Sequence, residues 1–131
     1  MQLTMENTGD ANRIERYHPG AVVINGVTHA NTVAVGPTWL QSPWGPDQLA
    51  LLAPEHLQSL IERRPEVILI GTGAVQQFPP RALMRLAIQS GIGLEAMTTA
   101  AACRTFTVLT AEQRDVLAVL FMIGEDSADA R

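Results

Sequence analysis

The sequence predicts a single α/β domain with mixed β-sheets, and two patterns indicate this class. The first is a β-hairpin signal: short apolar runs flank Asn25-Gly26, a dipeptide that tolerates the positive φ angles of a tight turn. The second is the order apolar run, amphipathic helix, apolar run between Val67 and Met97. This order is typical of a strand–helix–strand unit, whose two strands pair in parallel through a right-handed crossover. A chain of 131 residues has the length of one domain.

The N-terminal third is predicted to form short strands after a polar, flexible segment at residues 1–12. We expect strands at residues 21–24 and 27–29 on either side of the turn, and a third at 32–35. Residues 36–46 contain three prolines and both tryptophans, and we expect an irregular connection there.

The remainder of the chain alternates helical and strand patterns. Pro54 suits the first turn of a helix to residue 64, and a buried strand at 67–70 ends at a glycine turn. A helix opening at Pro80 is followed by a strand at 94–97 and a helix from Thr98 or Thr99 to about residue 109. The inward face of the Pro80 helix is predicted from its apolar spacing; it comprises Leu83, Leu86, Ala87 and Ser90.

The last apolar run, residues 116–123, fits two structures. Thr110 and Gln113 match a capping box, which favours a helix. The run is also short and rich in β-branched residues, which favours a buried strand. We expect the domain to span residues 13–123, followed by a flexible acidic tail at 124–131.

Composition excludes several classes of function. Net charge is −4, all nine basic residues are Arg and only six residues are aromatic, so we expect no nucleic-acid partner. One cysteine and three scattered histidines make neither a disulfide nor a metal pattern, and no cofactor is expected. The N-terminus lacks the features of a secretory signal, and the longest apolar run is too short to span a bilayer. The protein is therefore expected to be cytoplasmic.

The glycine turn is the first candidate for a ligand site, because glycines let backbone N–H groups approach an anion at the end of a strand. The candidate residues are Gly71, Thr72, Gly73, Thr98, Thr99 and Arg104. Arg104 lies among small and apolar neighbours, so it either binds an anion or pairs with an acid such as Glu95. The alternative for the glycines is a tight strand-exit turn.

No catalytic constellation is found, and we expect no enzymatic activity. Cys103 is the one candidate nucleophile, but it has no histidine near it in sequence. The alternative is a small side chain buried on the packed face of an alanine-rich helix.

Four residues are candidates for contact with a protein partner. Trp39 and Trp44 share a proline-rich loop, where they either form a docking patch or pack beneath the loop. Arg81 and Arg85 line the polar face of the helix after Pro80.

Three motifs resemble one family. They are the glycine strand exit at residues 68–73, Gly91-Ile92-Gly93-Leu94-Glu95-Ala96-Met97, and the helix containing Ala101-Ala102-Cys103-Arg104-Thr105. Their order and spacing are similar to those of the mitochondrial complex I assembly factor 3 family, with its bacterial and archaeal relatives and the adipogenesis-associated domain protein. The sequence departs from this family at Thr107, where asparagine is usual, and at Gln113, where glycine is common.

The resemblance implies a compact three-layer α/β fold with two sheets, in which the last apolar run is a strand. It also implies a non-catalytic assembly or chaperone-like role. Its partners would be subunits or assembly factors of a membrane-associated respiratory complex. The competing hypothesis is a protein or enzyme that binds a small anionic ligand at the glycine turn with Arg104. Pairing of an edge strand across a two-fold axis leaves a homo-oligomer open.

Overall fold

The computed structural model describes residues 3–6 and 11–122, of which 3–6 are described as backbone only. The chain runs through nine strands, one short 3₁₀-helix and three α-helices within these residues. The strands are β1 (Leu3–Glu6), β2 (Ile14–His18), β3 (Ala21–Ile24), β4 (Val27–His29), β5 (Val33–Val35), β6 (Trp39–Ser42), β7 (Val67–Gly71), β8 (Gly93–Met97) and β9 (Val116–Leu120). The helices are the 3₁₀-helix Leu49–Leu51, α1 (Pro54–Ile61), α2 (Arg81–Gln89) and α3 (Thr99–Ala111).

The strands form two sheets. The larger has the order β1-β6-β5-β9-β7-β8, and the smaller is the meander β2-β3-β4. β7 pairs in parallel with β8 and β9, whereas β5 pairs antiparallel with β9. The predicted parallel strand–helix–strand unit is confirmed as β7-α2-β8. The hairpin is confirmed as well, with positive φ at both Asn25 (53°) and Gly26 (81°).

Three layers follow from the two-residue period of the central strands. Side chains of β7 alternate: Val67 and Leu69 pack with α3 and the smaller sheet, whereas Ile68 and Ile70 pack with α1 and α2. Every residue of β7 and β9 is buried, as expected for strands that are covered on both faces. The predicted three-layer α/β fold is therefore the observed one.

The final apolar run is a strand, β9, and the capping-box alternative is wrong. The Thr110 hydroxyl donates to Phe106 O at 2.9 Å inside α3 rather than capping a new helix. Gln113 adopts a left-handed φ of 61°, which ends α3. Ile123 and the acidic tail at 124–131 lie outside the described residues.

Three expectations differ from the structure. Residues Leu3–Glu6, inside the segment expected to be flexible, pair antiparallel with β6 as an edge strand. The connection at 36–46 contains β6, whose backbone is held between β1 and β5. Ser90, predicted to face inward, is exposed at the end of α2.

Asn12 connects the two sheets, although it was expected to be flexible. Its side chain is buried and Nδ2 donates to Gly36 O at 2.8 Å and to Trp39 O at 3.0 Å. Its Oδ1 accepts from Nδ2 of Asn25, in the hairpin turn, at 2.8 Å. Because all three bonds are long-range, Asn12 fixes the hairpin against the larger sheet.

Candidate functional site

The glycine turn is filled by the first turn of α3. A Cβ atom at Gly71 would lie 2.8 Å from Thr99 Cα and 2.9 Å from Thr99 Oγ1. Gly71 therefore lets the backbone of α3 approach β7 closely. The α3 N-cap is Thr98, whose side chain accepts from Ala101 N at 3.2 Å.

The donors of the glycine turn are used within the protein. Gly73 N donates to Thr99 Oγ1 at 2.8 Å, and Thr72 N donates to Met97 O at 2.8 Å. Thr99 Oγ1 in turn donates to Phe121 O at 2.5 Å, which ties β7, α3 and the end of β9 together. Backbone N–H groups that already have partners do not form an anion site. The strand-exit alternative is the one that the structure supports.

Arg104 does not face the glycine turn, which corrects the predicted ligand site. Arg104 lies five positions after Thr99 in α3, which places the two side chains about 140° apart around the helix. Thr99 is buried against β7, whereas Arg104 is exposed and lines a cavity between α3 and β2. It forms no ion pair with Glu95 either. The predicted group of six residues is therefore divided between two places.

Cys103 occupies the packed face of α3, as the structural alternative proposed. Its side chain is buried beside Phe106 in the core between α3 and the larger sheet. Burial raises the pKa of the thiol to about 11, although the nearby Arg104 charge acts in the opposite direction. At neutral pH the group is a protonated thiol and a poor nucleophile.

The tryptophans do not form a docking patch, and this prediction is wrong. Trp39 and Trp44 are 7% and 5% exposed, and both pack in the core between the larger sheet and α1. The Arg63 guanidinium lies over the Trp39 ring at 4.2 Å from the centroid, and His56 packs edge-on to Trp44 at 6.0 Å. Their role is to fill the core beneath the loop.

Large apolar side chains are instead exposed after β7. Phe78 is 83% exposed and Val75 is 64% exposed in the connection to α2, and Ile88 is 76% exposed on α2 itself. Arg81 and Arg85, the other two predicted contact residues, are exposed on the same helical face as Ile88. We name these five residues the β7–α2 surface. The sequence signal for it was Phe78 in front of two prolines, which the prediction did not use.

The connection after β7 is held in place by hydrogen bonds. The Thr72 hydroxyl lies 2.8 Å from Val75 O and accepts from Gln77 N at 3.1 Å. Gln76 Nε2 donates to Ala96 O on the edge strand β8 at 3.1 Å. The exposed Phe78 is therefore carried on an anchored loop.

Residues 14–121 match the model of a family described as a protein of unknown function (DUF498/DUF598). The chain belongs to this family. The DUF498 match covers most of the chain and agrees with the fold, but the family description names no activity. The description of the family does not include the assembly-factor role that the resemblance implies.

Solved structures of similar proteins share the DUF498 fold seen here. A Xanthomonas campestris protein is 33% identical, with 88% of each chain covered and a TM-score of 0.81. A Bordetella pertussis protein, described as an Mth938-like domain, is 26% identical over 92% of this chain and 91% of that one, with a TM-score of 0.73.

A curated relative has a name that mentions a membrane. The chain is 31% identical over 74 residues to the 13 kDa major membrane protein of Francisella tularensis. The match covers 56% of this chain and 60% of that protein, less than two thirds of its length. Among the described residues, no helix combines the length and apolar character that crossing a bilayer requires.

Proposed function

We propose that this DUF498 protein is a non-catalytic protein-binding module that contacts its partner through the β7–α2 surface. The observation that carries the proposal is the exposure of Phe78. Burying a phenylalanine side chain contributes about 1.5–3 kcal/mol, so the 83% exposed Phe78 is a favourable contact for a partner.

Preorganisation supports the proposal. Hydrogen bonds through Thr72 and Gln76 hold the loop, and Pro79-Pro80 restrict the backbone between Phe78 and α2. An anchored loop loses less conformational entropy on association than a flexible one, so more of the contact energy contributes to affinity.

The positive charge of the β7–α2 surface indicates which partner surface would fit it. Residues 72–90 contain Arg81 and Arg85 and no acidic residue, within a chain of net charge −4. Neither arginine forms an ion pair with another residue in the part of the chain that the structure describes. The partner surface that fits is apolar at its centre, to receive Phe78, and acidic beside it.

The chemistry of the remaining side chains favours a non-catalytic role. The buried Cys103 stays protonated at neutral pH. No group of three or more His, Cys, Asp or Glu side chains within residues 3–6 and 11–122 is arranged to hold a metal ion.

The partner that we propose is a subunit or assembly factor of a membrane-associated complex, respiratory complexes included. Two observations support this choice. The three motifs resemble those of the complex I assembly factor 3 family, and the Francisella tularensis relative is named as a membrane protein.

Site-specific photocrosslinking tests the proposal. A photoreactive phenylalanine analogue replaces Phe78 in one variant and Leu51 in a control, since Leu51 is a 62% exposed apolar residue on the 3₁₀-helix, outside the β7–α2 surface. In native cells we expect a discrete adduct with a membrane-complex protein from position 78 and none from position 51. Equal adducts from both positions, or none from position 78, would contradict the proposal.

A further inference from the structure

A second site lies on the other side of the larger sheet, between β2 and α3. There a cavity of about 380 Å³ opens to solvent, and we name it the β2–α3 cavity. Six of the residues that line it carry the argument: Ile14, Glu15, Arg16, Tyr17, Cys103 and Arg104. Its volume falls within the range of small-molecule sites in proteins.

The two walls of the cavity each supply a guanidinium group without a partner. Arg16 comes from β2 and Arg104 from α3, and neither guanidinium forms a hydrogen bond or an ion pair with any residue of the described ranges. Glu15 is the single acidic residue in the lining, so the lining carries a net charge of +1. A positive cavity in a chain of net charge −4 favours an anion.

Tyr17 adds an unused hydrogen-bonding group. Its hydroxyl oxygen is inaccessible to solvent and has no hydrogen-bond partner among the described residues. Buried polar groups without partners are rare in native proteins, and each calls for an explanation. A ligand oxygen becomes such a partner if the Tyr17 ring turns toward the cavity that Tyr17 also lines.

The rest of the lining is uncharged and mostly apolar. Ile14 and Tyr17 pack against the core cluster that contains Cys103, so the cavity rests on apolar side chains. Cys103 stays a neutral thiol, because burial raises its pKa to about 11. An inorganic anion would leave this apolar wall without a contact, whereas an organic anion would cover it.

We propose that the β2–α3 cavity binds a small organic carboxylate with an apolar body, whose carboxylate meets Arg16 and Arg104. Guanidinium groups bind carboxylates through paired, charge-assisted hydrogen bonds. The site does not rest on the proposed protein-binding function, because α2 and α3 lie on opposite faces of the larger sheet.

The test is an NMR titration of the full-length protein with octanoate. Two control probes separate the contribution of the charge from that of the apolar body. The first, 1-octanol, has the apolar body without the charge, and inorganic phosphate has a negative charge without the apolar body. We expect saturable amide shifts in β2 and α3 with octanoate, and binding of either control probe at least about tenfold weaker.

Substitutions test which residues of the cavity bind octanoate. Arg104→Gln is expected to weaken octanoate binding about tenfold, and Arg16→Gln to act in the same direction. Arg64→Gln, the same change at an exposed position after α1, is the matched control and leaves binding unchanged. Tyr17→Phe weakens octanoate binding while the protein remains folded, because the lost hydroxyl has no partner within the described residues.

Three results would overturn the proposal. They are the absence of saturable shifts with octanoate, equal affinity for 1-octanol, and equal effects of Arg104→Gln and Arg64→Gln. The amide spectrum away from the cavity reports whether each variant is folded, so a loss of binding is not confused with a loss of structure.

Discussion

The Cα atom of Thr99 lies only 2.8 Å from the position that a Cβ atom at Gly71 would occupy. This closeness brings the first turn of α3 onto β7, and the Thr99 hydroxyl then bonds both Gly73 N and Phe121 O. The glycine at position 71 therefore serves the packing of the helix rather than the binding of an anion.

Gly71→Ala is expected to destabilise the protein by about 2–3 kcal/mol, because the new methyl group meets backbone atoms that cannot move independently. Gly93→Ala is the matched control, since its nearest contact would be an ordinary 3.5 Å to Val67 Cγ2. Urea denaturation of both variants measures the difference. If Gly71→Ala is as stable as Gly93→Ala, the close packing that we describe is incorrect.

Gln113→Gly is expected to stabilise the protein by about 0.5–1 kcal/mol. Gln113 has φ 61°, and the flanking bonds Gln113 N to Thr110 O (2.9 Å) and Arg114 N to Leu109 O (3.0 Å) form a Schellman motif that favours glycine. Gln58→Gly, in the right-handed interior of α1, is expected to cost about 1 kcal/mol. Thermal or urea unfolding in which both glycine variants lose stability would contradict the assignment.

Most of the fold could be predicted from the residues in the turns and from the spacing of apolar residues along the chain. Asn25-Gly26 supplied the hairpin turn, and the run 67–70 supplied a strand buried on both faces. β1 was missed because an edge strand needs no apolar face, and its pairing with β6 depends on residues more than 30 positions away.

The candidate site was less predictable, because its parts meet only through tertiary structure. A glycine after a strand admits either an anion or a helix backbone, and the sequence does not tell which one approaches. Likewise, Arg104 finds its surroundings on β2, about 90 residues earlier in the chain. Trp39 is buried within β6 and Trp44 in the loop that follows, and local patterns do not encode either placement.

Asn12→Ala is expected to lower the free energy of unfolding by about 2–3 kcal/mol. The change removes three long-range hydrogen bonds and leaves the carbonyl oxygens of Gly36 and Trp39 with fewer donors. Asn31→Ala, at an exposed position, is the control and is expected to change stability by less than about 0.5 kcal/mol. Chemical denaturation distinguishes the two, and equal effects would rule out the connecting role of Asn12.

Alkaline pH is expected to destabilise the protein through Cys103. Its thiol has a pKa of about 11 in the folded protein against 9.0 ordinarily, so the unfolded chain loses this proton first as pH rises. The stability that the protonated Cys103 thiol contributes is complete below pH 9 and is lost between pH 9 and 11. The loss amounts to about 1.4 kcal/mol at pH 10. Urea denaturation at pH 7 and pH 10 compares the wild type with Cys103→Ala, which lacks this thiol. Identical pH dependence in both would show that the thiol is not desolvated as described.

Binding of a partner through Phe78 is measured most directly by comparing two exposed apolar residues, Phe78 and Leu51. The partner found by crosslinking is titrated with the wild-type protein, Phe78→Ser and the control Leu51→Ser. We expect Phe78→Ser to weaken the affinity by at least about tenfold, as for a central interface residue, while Leu51→Ser binds like the wild type. Equal affinities for Phe78→Ser and Leu51→Ser would show that Phe78 does not contact the partner.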